Sequence, residues 1–186
     1  MAQGAMVYKA TVDISDIDRN YYGHHVLTVA RHPAETEARL MLRIVAFCRH
    51  ADEHTEFGRG LSTEGEPALW HIDDTGAIKE WIEVGCPEVK QVRRAAGRSE
   101  KVIVEAYDED RYEPWWKAHV GDFSKIDKLD VYGIKKAQID ELVTLVERNM
   151  RLSVTVQDDI VWLSNGIKNV EITFFPLKVA QWFRML

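Results

Sequence analysis

Residues 61–98 read LSTEGEPALWHIDDTGAIKEWIEVGCPEVKQVRRAAGR, and this stretch holds the side chains best suited to chemistry. Two carboxylates, Glu66 and Glu83, flank the turn sequence Asp73-Asp74-Thr75-Gly76. A basic run of Lys90, Arg93, Arg94 and Arg98 follows at once. Facing carboxylates can hold a divalent cation, because Mg²⁺ and Mn²⁺ prefer oxygen ligands. A basic helix beside them can meet phosphate, which makes Arg93, Arg94 and Arg98 candidate phosphate contacts. The bland alternative is a solvated edge, since Glu88 and Glu100 offset the cations of residues 91–101.

Whether the two acids meet depends on the hairpin that carries them. Asp and Gly supply the conformations of a tight turn. A symmetric turn places Leu69 opposite Glu80, Ala68 opposite Trp81 and Glu66 opposite Glu83. Side chains alternate along a strand, so Glu66, Ala68 and Trp70 share a face with Lys79, Trp81 and Glu83. Like charges directly opposite each other weaken a sheet unless water or a cation separates them. A slip of one residue would part the two acids.

The elements around the hairpin follow from periodicity. Tyr8, Ala10, Val12 and Ile14 alternate with polar residues, as in a half-buried strand, and residues 25–30 read as its partner. Pro33 opens a long helix with an apolar stripe of Leu40, Met41, Ile44, Val45, Phe47, Cys48 and Ala51. Arg39 and Arg43 fall on its more polar side. After the hairpin, Pro87 fits a helix start and Gly97 a stop. Residues 101–107 (KVIVEAY) are β-branched and read as a central strand. Residues 112–117 read as a short aromatic edge strand, 122–132 as a polar connection and 134–150 as a second long helix. Three strands follow at 151–157, 160–163 and 170–177, with Ser164-Asn165-Gly166 as a turn. The sum is one α+β domain over residues 1–186.

Bulk numbers narrow the function classes. The chain has 186 residues, enough for a sizeable core, and a formal net charge of −6. An acidic balance argues against strong non-specific nucleic-acid binding, although a local basic patch can still hold a phosphate backbone. Two cysteines, Cys48 and Cys86, make no disulfide framework and fit a reducing compartment, the cytoplasm. No secretory signal or membrane-length apolar run is present.

Other reactive side chains have plainer readings. His50, Glu53 and His54 lie within about one helical turn, and His at i, i+4 can bind Zn²⁺. The order is not HExxH and no third ligand is in sight, so a polar helix end is the better reading. Cys86 sits before a helix N-terminus without a His or Asn partner, which disfavours a nucleophile. Of the tryptophans 70, 81, 115, 116, 162 and 182, most read as core or rim. Trp70 and Trp81 border the carboxylate face.

Several stretches together resemble the bacterial YaeQ family: YKA (8–10), DIDRNYYG (16–23), LTVARHPAETEARLMLR (27–43), GLSTEGEPALW (60–70) and WIEVGCPE with RRAAGR (81–98). The resemblance covers nearly the whole chain. It implies a compact variation on the PD-(D/E)XK nuclease core: a mixed sheet flanked by helices, with an N-terminal hairpin and C-terminal strands. It also implies an ancestral Mg²⁺- or Mn²⁺-dependent phosphodiesterase site. In that pattern an Asp follows a Pro, and the next strand carries an acid, one residue, then Lys. Here Pro67 is followed by Ala68, and Glu83-Val84 by Gly85. Glu66 can stand in for the missing Asp, Lys90 for the displaced Lys, and Glu37 or Glu35 for the acid of the first core helix. The resemblance thus implies metal ligands Glu37, Glu66 and Glu83, with Glu66, Glu83 and Lys90 as catalytic positions. The two departures point instead to a non-catalytic scaffold that binds nucleic acid or another protein, with a metal-dependent nuclease as the alternative.

Overall fold

The computed structural model describes residues 4–60 and 63–180. Trp182 lies outside them. The N-terminal strands β1 (Met6–Asp16) and β2 (Tyr21–Arg31) form a long antiparallel hairpin, joined by a turn shorter than the 16–23 connection predicted from sequence. Helix α1 (Glu37–Arg49) follows. Its start is set by Thr36, whose hydroxyl accepts the Arg39 amide at 3.1 Å, and not by Pro33. Next come β3 (Thr55–Phe57), β4 (Leu69–Ile72), β5 (Ile78–Val84) and α2 (Val89–Arg98). Then β6 (Ser99–Tyr107), α3 (Glu109–Phe123), β7 (Leu129–Ile134) and α4 (Lys136–Val143) alternate. The chain closes with β8 (Asn149–Gln157), β9 (Ile160–Ser164), β10 (Asn169–Thr173) and β11 (Phe175–Lys178).

The strands make two mixed sheets, β10-β9-β8-β1-β2 and β11-β7-β6-β5-β4-β3. Helix α1 lies between them and is buried all round from Leu40 to Arg49, so the predicted stripe is only part of its contact surface. Arg43, expected on the polar side, is 2% exposed. The far face of the second sheet packs on α2 and α3 through Trp81, Val92, Val102, Phe123 and Val131. The α+β class expected from the sequence is observed, with two mixed sheets in place of one and four helices among the described residues.

The hairpin register departs from the symmetric one. Leu69 pairs with Ile82, Trp70 with Trp81 and His71 with Glu80, and a bulge then brings Ile72 opposite Ile78. The Asp73 amide donates to the Ala77 carbonyl at 3.0 Å, enclosing a three-residue loop with Gly76 at φ +86°. The longer loop shifts the register by one residue and the bulge by one more. Two single slips cancel in parity, so Trp70, Trp81 and Glu83 keep a common face. Glu66 lies before β4, outside the ladder, and is not the cross-strand partner of Glu83.

Three further expectations fail for identifiable reasons. The 112–117 segment is not an edge strand but part of α3, the longest helix of the described residues. Tyr112, Trp115, Trp116, His119 and Phe123 recur at helical spacing, and Asp108 caps the start by accepting the Asp110 amide. The 134–150 helix is shortened at both ends, because Ile134 finishes β7 and Asn149 opens β8. The predicted 170–177 strand is divided at the buried Phe174 between the two sheets.

Candidate functional site

A cavity of about 290 Å³ opens where α1, the end of β5 and the start of α2 converge. Arg39 and Arg43 of α1, residues 63–68 before β4, Glu83 and Val84 of β5, and Gln91 of α2 line it. A smaller hollow of about 160 Å³ adjoins it, walled by Glu66, Trp81, Glu83, Lys90, Gln91 and Arg94. Glu66 and Glu83, the two acids singled out in the sequence, therefore face the same space, with Lys90 on its rim. Glu37 does not line it.

Each carboxylate has a distinct state. Glu66 accepts three hydrogen bonds from Arg59, from the backbone amide at 2.9 Å, Nε at 2.9 Å and Nη2 at 2.7 Å. These bonds hold its carboxyl below the usual carboxylate range. Glu83 has the opposite tendency. Burial pushes its carboxyl up, only partly countered by the Trp81 indole N–H at 2.9 Å and the charge of Arg39. Glu35, just before α1, is buried and gripped by Arg43 through Nε at 2.7 Å and Nη2 at 2.8 Å, and by Arg39 Nη1 at 2.9 Å. The α1 side thus presents guanidinium groups to the cavity, with the acid held behind them.

The four basic residues of α2 separate into two pairs. Arg93 is tied to Asp122 of α3 at 2.7 Å. Arg98 donates to the Gly65 carbonyl at 2.9 Å and lies 5.0 Å from the Trp81 ring, which fixes the segment that carries Glu66. Lys90 and Arg94 line the hollow and form no ion pair among the described residues. They are the cations a visiting anion would meet.

Gly85 occupies the position of the expected lysine with φ +116°, a conformation that side-chain-bearing residues rarely adopt. Cys86 is a free thiol pushed up to about 11 by burial, so it is not an activated nucleophile. As a donor set for a divalent cation, the cavity offers Glu66, bonded to Arg59, Glu83, whose charged form burial disfavours, and the exposed Glu64. Ala68 supplies no ligand.

Two clusters of titratable groups lay outside the reach of sequence reasoning. Arg49 at the end of α1 bonds the buried Glu105 of β6 at 2.9 Å and Asp159 at 2.7 Å, and its guanidinium lies 4.2 Å from the Tyr132 ring and 4.1 Å from that of Phe174. His50 bonds the same Glu105 at 2.8 Å. Helix α1 ends at Arg49, so His50 and His54 do not stand one helical turn apart. His54 instead joins Asp52 and His71, which comes from β4. Among the described residues, this is the one group of three or more His, Cys, Asp or Glu side chains gathered closely enough to share an ion. Glu105, Asp159 and His71 come from other stretches of chain, and only the fold joins them to residues 49–54.

The fold is that of an α+β protein with two mixed sheets about a buried α1 and a charged cavity beside the β4–β5 hairpin. The chain belongs to the YaeQ family, whose model, described as YaeQ protein, matches residues 1–174. It is 38% identical over 172 residues to "Uncharacterized protein YaeQ" of Salmonella typhi, covering 92% of this chain and 95% of that one. It is 36% identical over 172 residues, with the same coverage, to the protein of that name from Escherichia coli (strain K12). Its fold is similar to the crystal structure of the YaeQ protein from Xanthomonas axonopodis pv. citri, with a TM-score of 0.90, 39% identity and coverage of 94% of this chain and 99% of that chain. The crystal structure of YaeQ protein from Pseudomonas syringae gives a TM-score of 0.88 at 27% identity, with coverage of 94% and 97%. No described helix is long and apolar enough to cross a membrane.

Proposed function

We propose that this chain is a non-catalytic nucleic-acid-binding protein whose cavity takes a backbone phosphate without a metal ion. The observation that carries the reading is the charge arrangement of the cavity. Arg39 and Arg43 line its α1 wall, Lys90 and Arg94 lie on the α2 side, and burial disfavours the ionised form of Glu83. A doubly charged cation finds Glu66 bonded to Arg59 and Glu83 disfavoured as an anion, with the exposed Glu64 and, in the hollow, Glu88 as the remaining carboxylates. A phosphate finds donors.

The binding is modest and local. A chain of net charge −6 has no broad basic surface, so affinity falls in the ordinary non-specific range of roughly 10⁻⁴–10⁻⁶ M at physiological salt. Two cationic contacts, Lys90 and Arg94, give a salt slope of about −1.4 on a single strand, taking about −0.7 per contact. Trp81 is 3% exposed and supports the Glu83 wall, so base stacking is not its role.

Fluorescence anisotropy with labelled single- and double-stranded DNA and RNA, in EDTA, tests the reading. Binding should persist in EDTA, weaken with salt at the stated slope, and fall at least tenfold in Lys90→Glu/Arg94→Glu. No binding in EDTA, or binding indifferent to the double variant, refutes it.

One observation favours a second reading, a Mg²⁺-dependent nuclease using Glu37, Glu66, Glu83 and Lys90. Glu66 and Glu83 face one cavity with Lys90 on its rim. Ala68, Gly85 and the absence of Glu37 from the cavity lining weigh against it.

A further inference from the structure

We propose that Asp52, His54 and His71 form a site for a divalent first-row transition ion of the Zn²⁺ type, separate from the cavity. Asp52 Oδ1 lies 3.2 Å from His54 Nδ1 and 3.9 Å from His71 Nε2. The three donor atoms all fall within 4.8 Å of one another. A tetrahedral ion with bonds of about 2.0–2.1 Å spaces its ligands roughly 3.3–3.5 Å apart. The gathered atoms match that spacing closely enough for small rotations of the side chains to complete it.

The surroundings prepare His54 for such a role. Its Nε2 lies 2.9 Å from Asp74 Oδ1 in the hairpin turn. A carboxylate there holds the proton on Nε2 and leaves the Nδ1 lone pair free, which is the outer-partner arrangement of metal-bound histidines. That lone pair then faces a carboxylate oxygen at 3.2 Å, two acceptors with nothing to share. A cation or a proton between them resolves the conflict. The two imidazoles lie nearly parallel, at 6° with centroids 5.6 Å apart, so a ring must turn to bring both in-plane lone pairs onto one ion.

The backbone holds the three residues in place. Thr55 pairs with His71 across β3 and β4, which brings the residue before Thr55 beside the strand. The Thr55 amide donates to the Asp52 carbonyl at 3.2 Å, and the Asp52 carboxylate accepts the His54 amide at 3.0 Å. Imidazole nitrogen selects Zn²⁺ and its neighbours over Mg²⁺ or Ca²⁺. Side-chain exposures of 38%, 33% and 22% leave a coordination position open to water.

The test is a Zn²⁺ titration of the full chain, stripped with EDTA, by calorimetry, with Co²⁺ absorption bands as the spectroscopic readout. Wild type should bind one Zn²⁺ at this site and gain thermal stability with it. His54→Ala and His71→Ala should each weaken binding more than tenfold and abolish the Co²⁺ bands. Asp74→Asn should weaken it about tenfold, the lower end of outer-partner effects. His24→Ala, which alters another exposed His–Asp pair, should leave affinity within twofold. His71→Gln serves where His71→Ala fails to fold, with circular dichroism as the check. Binding unchanged within twofold in the His71 and His54 variants, or displacement of Zn²⁺ by millimolar Mg²⁺, overturns the proposal.

Discussion

Arg43 grips Glu35 fork to fork, with Nε and Nη2 at 2.7 and 2.8 Å from the two carboxylate oxygens, and both side chains are buried. Removing one partner of a buried pair strands the other charge in a medium that solvates it poorly. Arg43→Ala should therefore cost about 3–5 kcal/mol of stability. The double variant with Glu35→Ala should cost less than the two single losses added together. Urea unfolding curves measure both.

Burial of α1 on all sides makes its apolar residues costly to truncate. Ile44 is fully buried between the two sheets, so Ile44→Ala should lose about 2–4 kcal/mol. A shift within about 0.5 kcal/mol, the range of surface sites, would contradict that position for the helix.

The α1 stripe was legible because a 3.6-residue period survives burial from both sides, although the sequence marked only part of the contact surface. The β1–β2 hairpin and the central β6 were legible from alternation and β-branching. The α3 helix was not, because Pro114 and a run of aromatics read locally as strand. At the site, the turn argument placed Glu66 opposite Glu83 on the ladder, whereas the register is two residues off and Glu66 precedes β4; the two acids share a cavity through the path of the 63–68 segment. The Arg59 clamp on Glu66 and the Arg43 grip on Glu35 were not legible, because they depend on side-chain reach and on a loop path that no periodicity encodes. His71 as a neighbour of His54 was hidden for the same reason: a sheet made them adjacent.

Glu83 gives a pH signature. Burial raises its folded-state pKa, so between the unfolded and folded values the native state binds the extra proton. Its favourable contribution is full below the unfolded value and is lost as pH rises through the folded one. Glu83→Gln should be more stable than wild type at pH 7, and the difference should vanish in acid. Thermal unfolding from pH 3 to 8 would show it. A Glu83→Gln variant less stable at pH 7 than wild type would contradict the burial argument.

Glu105 should act in the opposite sense. Burial raises its pKa, but the hydrogen bond and charge of His50 and the charge and hydrogen bond of Arg49 together outweigh burial and hold it low. Its contribution is present above the unfolded value and is lost as pH falls through the folded one. Glu105→Gln should therefore flatten the acid limb of the stability curve, measured in the same scans.

Gly85 should resist repair. At φ +116° a lysine side chain costs about 1–3 kcal/mol of backbone strain, so Gly85→Lys should destabilise the fold and leave cleavage absent. Denaturation midpoints and a cleavage assay on the same sample would establish both.

Phosphate binding without a metal and without cleavage can be read in a single experiment. The most direct measurement incubates labelled single- and double-stranded DNA and RNA with wild type, Glu83→Ala and Ala68→Asp, in EDTA and in Mn²⁺. It records binding and cleavage from the same tubes. Wild type should bind equally with and without Mn²⁺, and neither wild type nor Glu83→Ala should cleave. Cleavage confined to Ala68→Asp would place a missing ligand at position 68 of a surviving architecture. Robust Mn²⁺-dependent cleavage by wild type, abolished by Glu83→Ala, would show a working nuclease in place of a metal-free phosphate site.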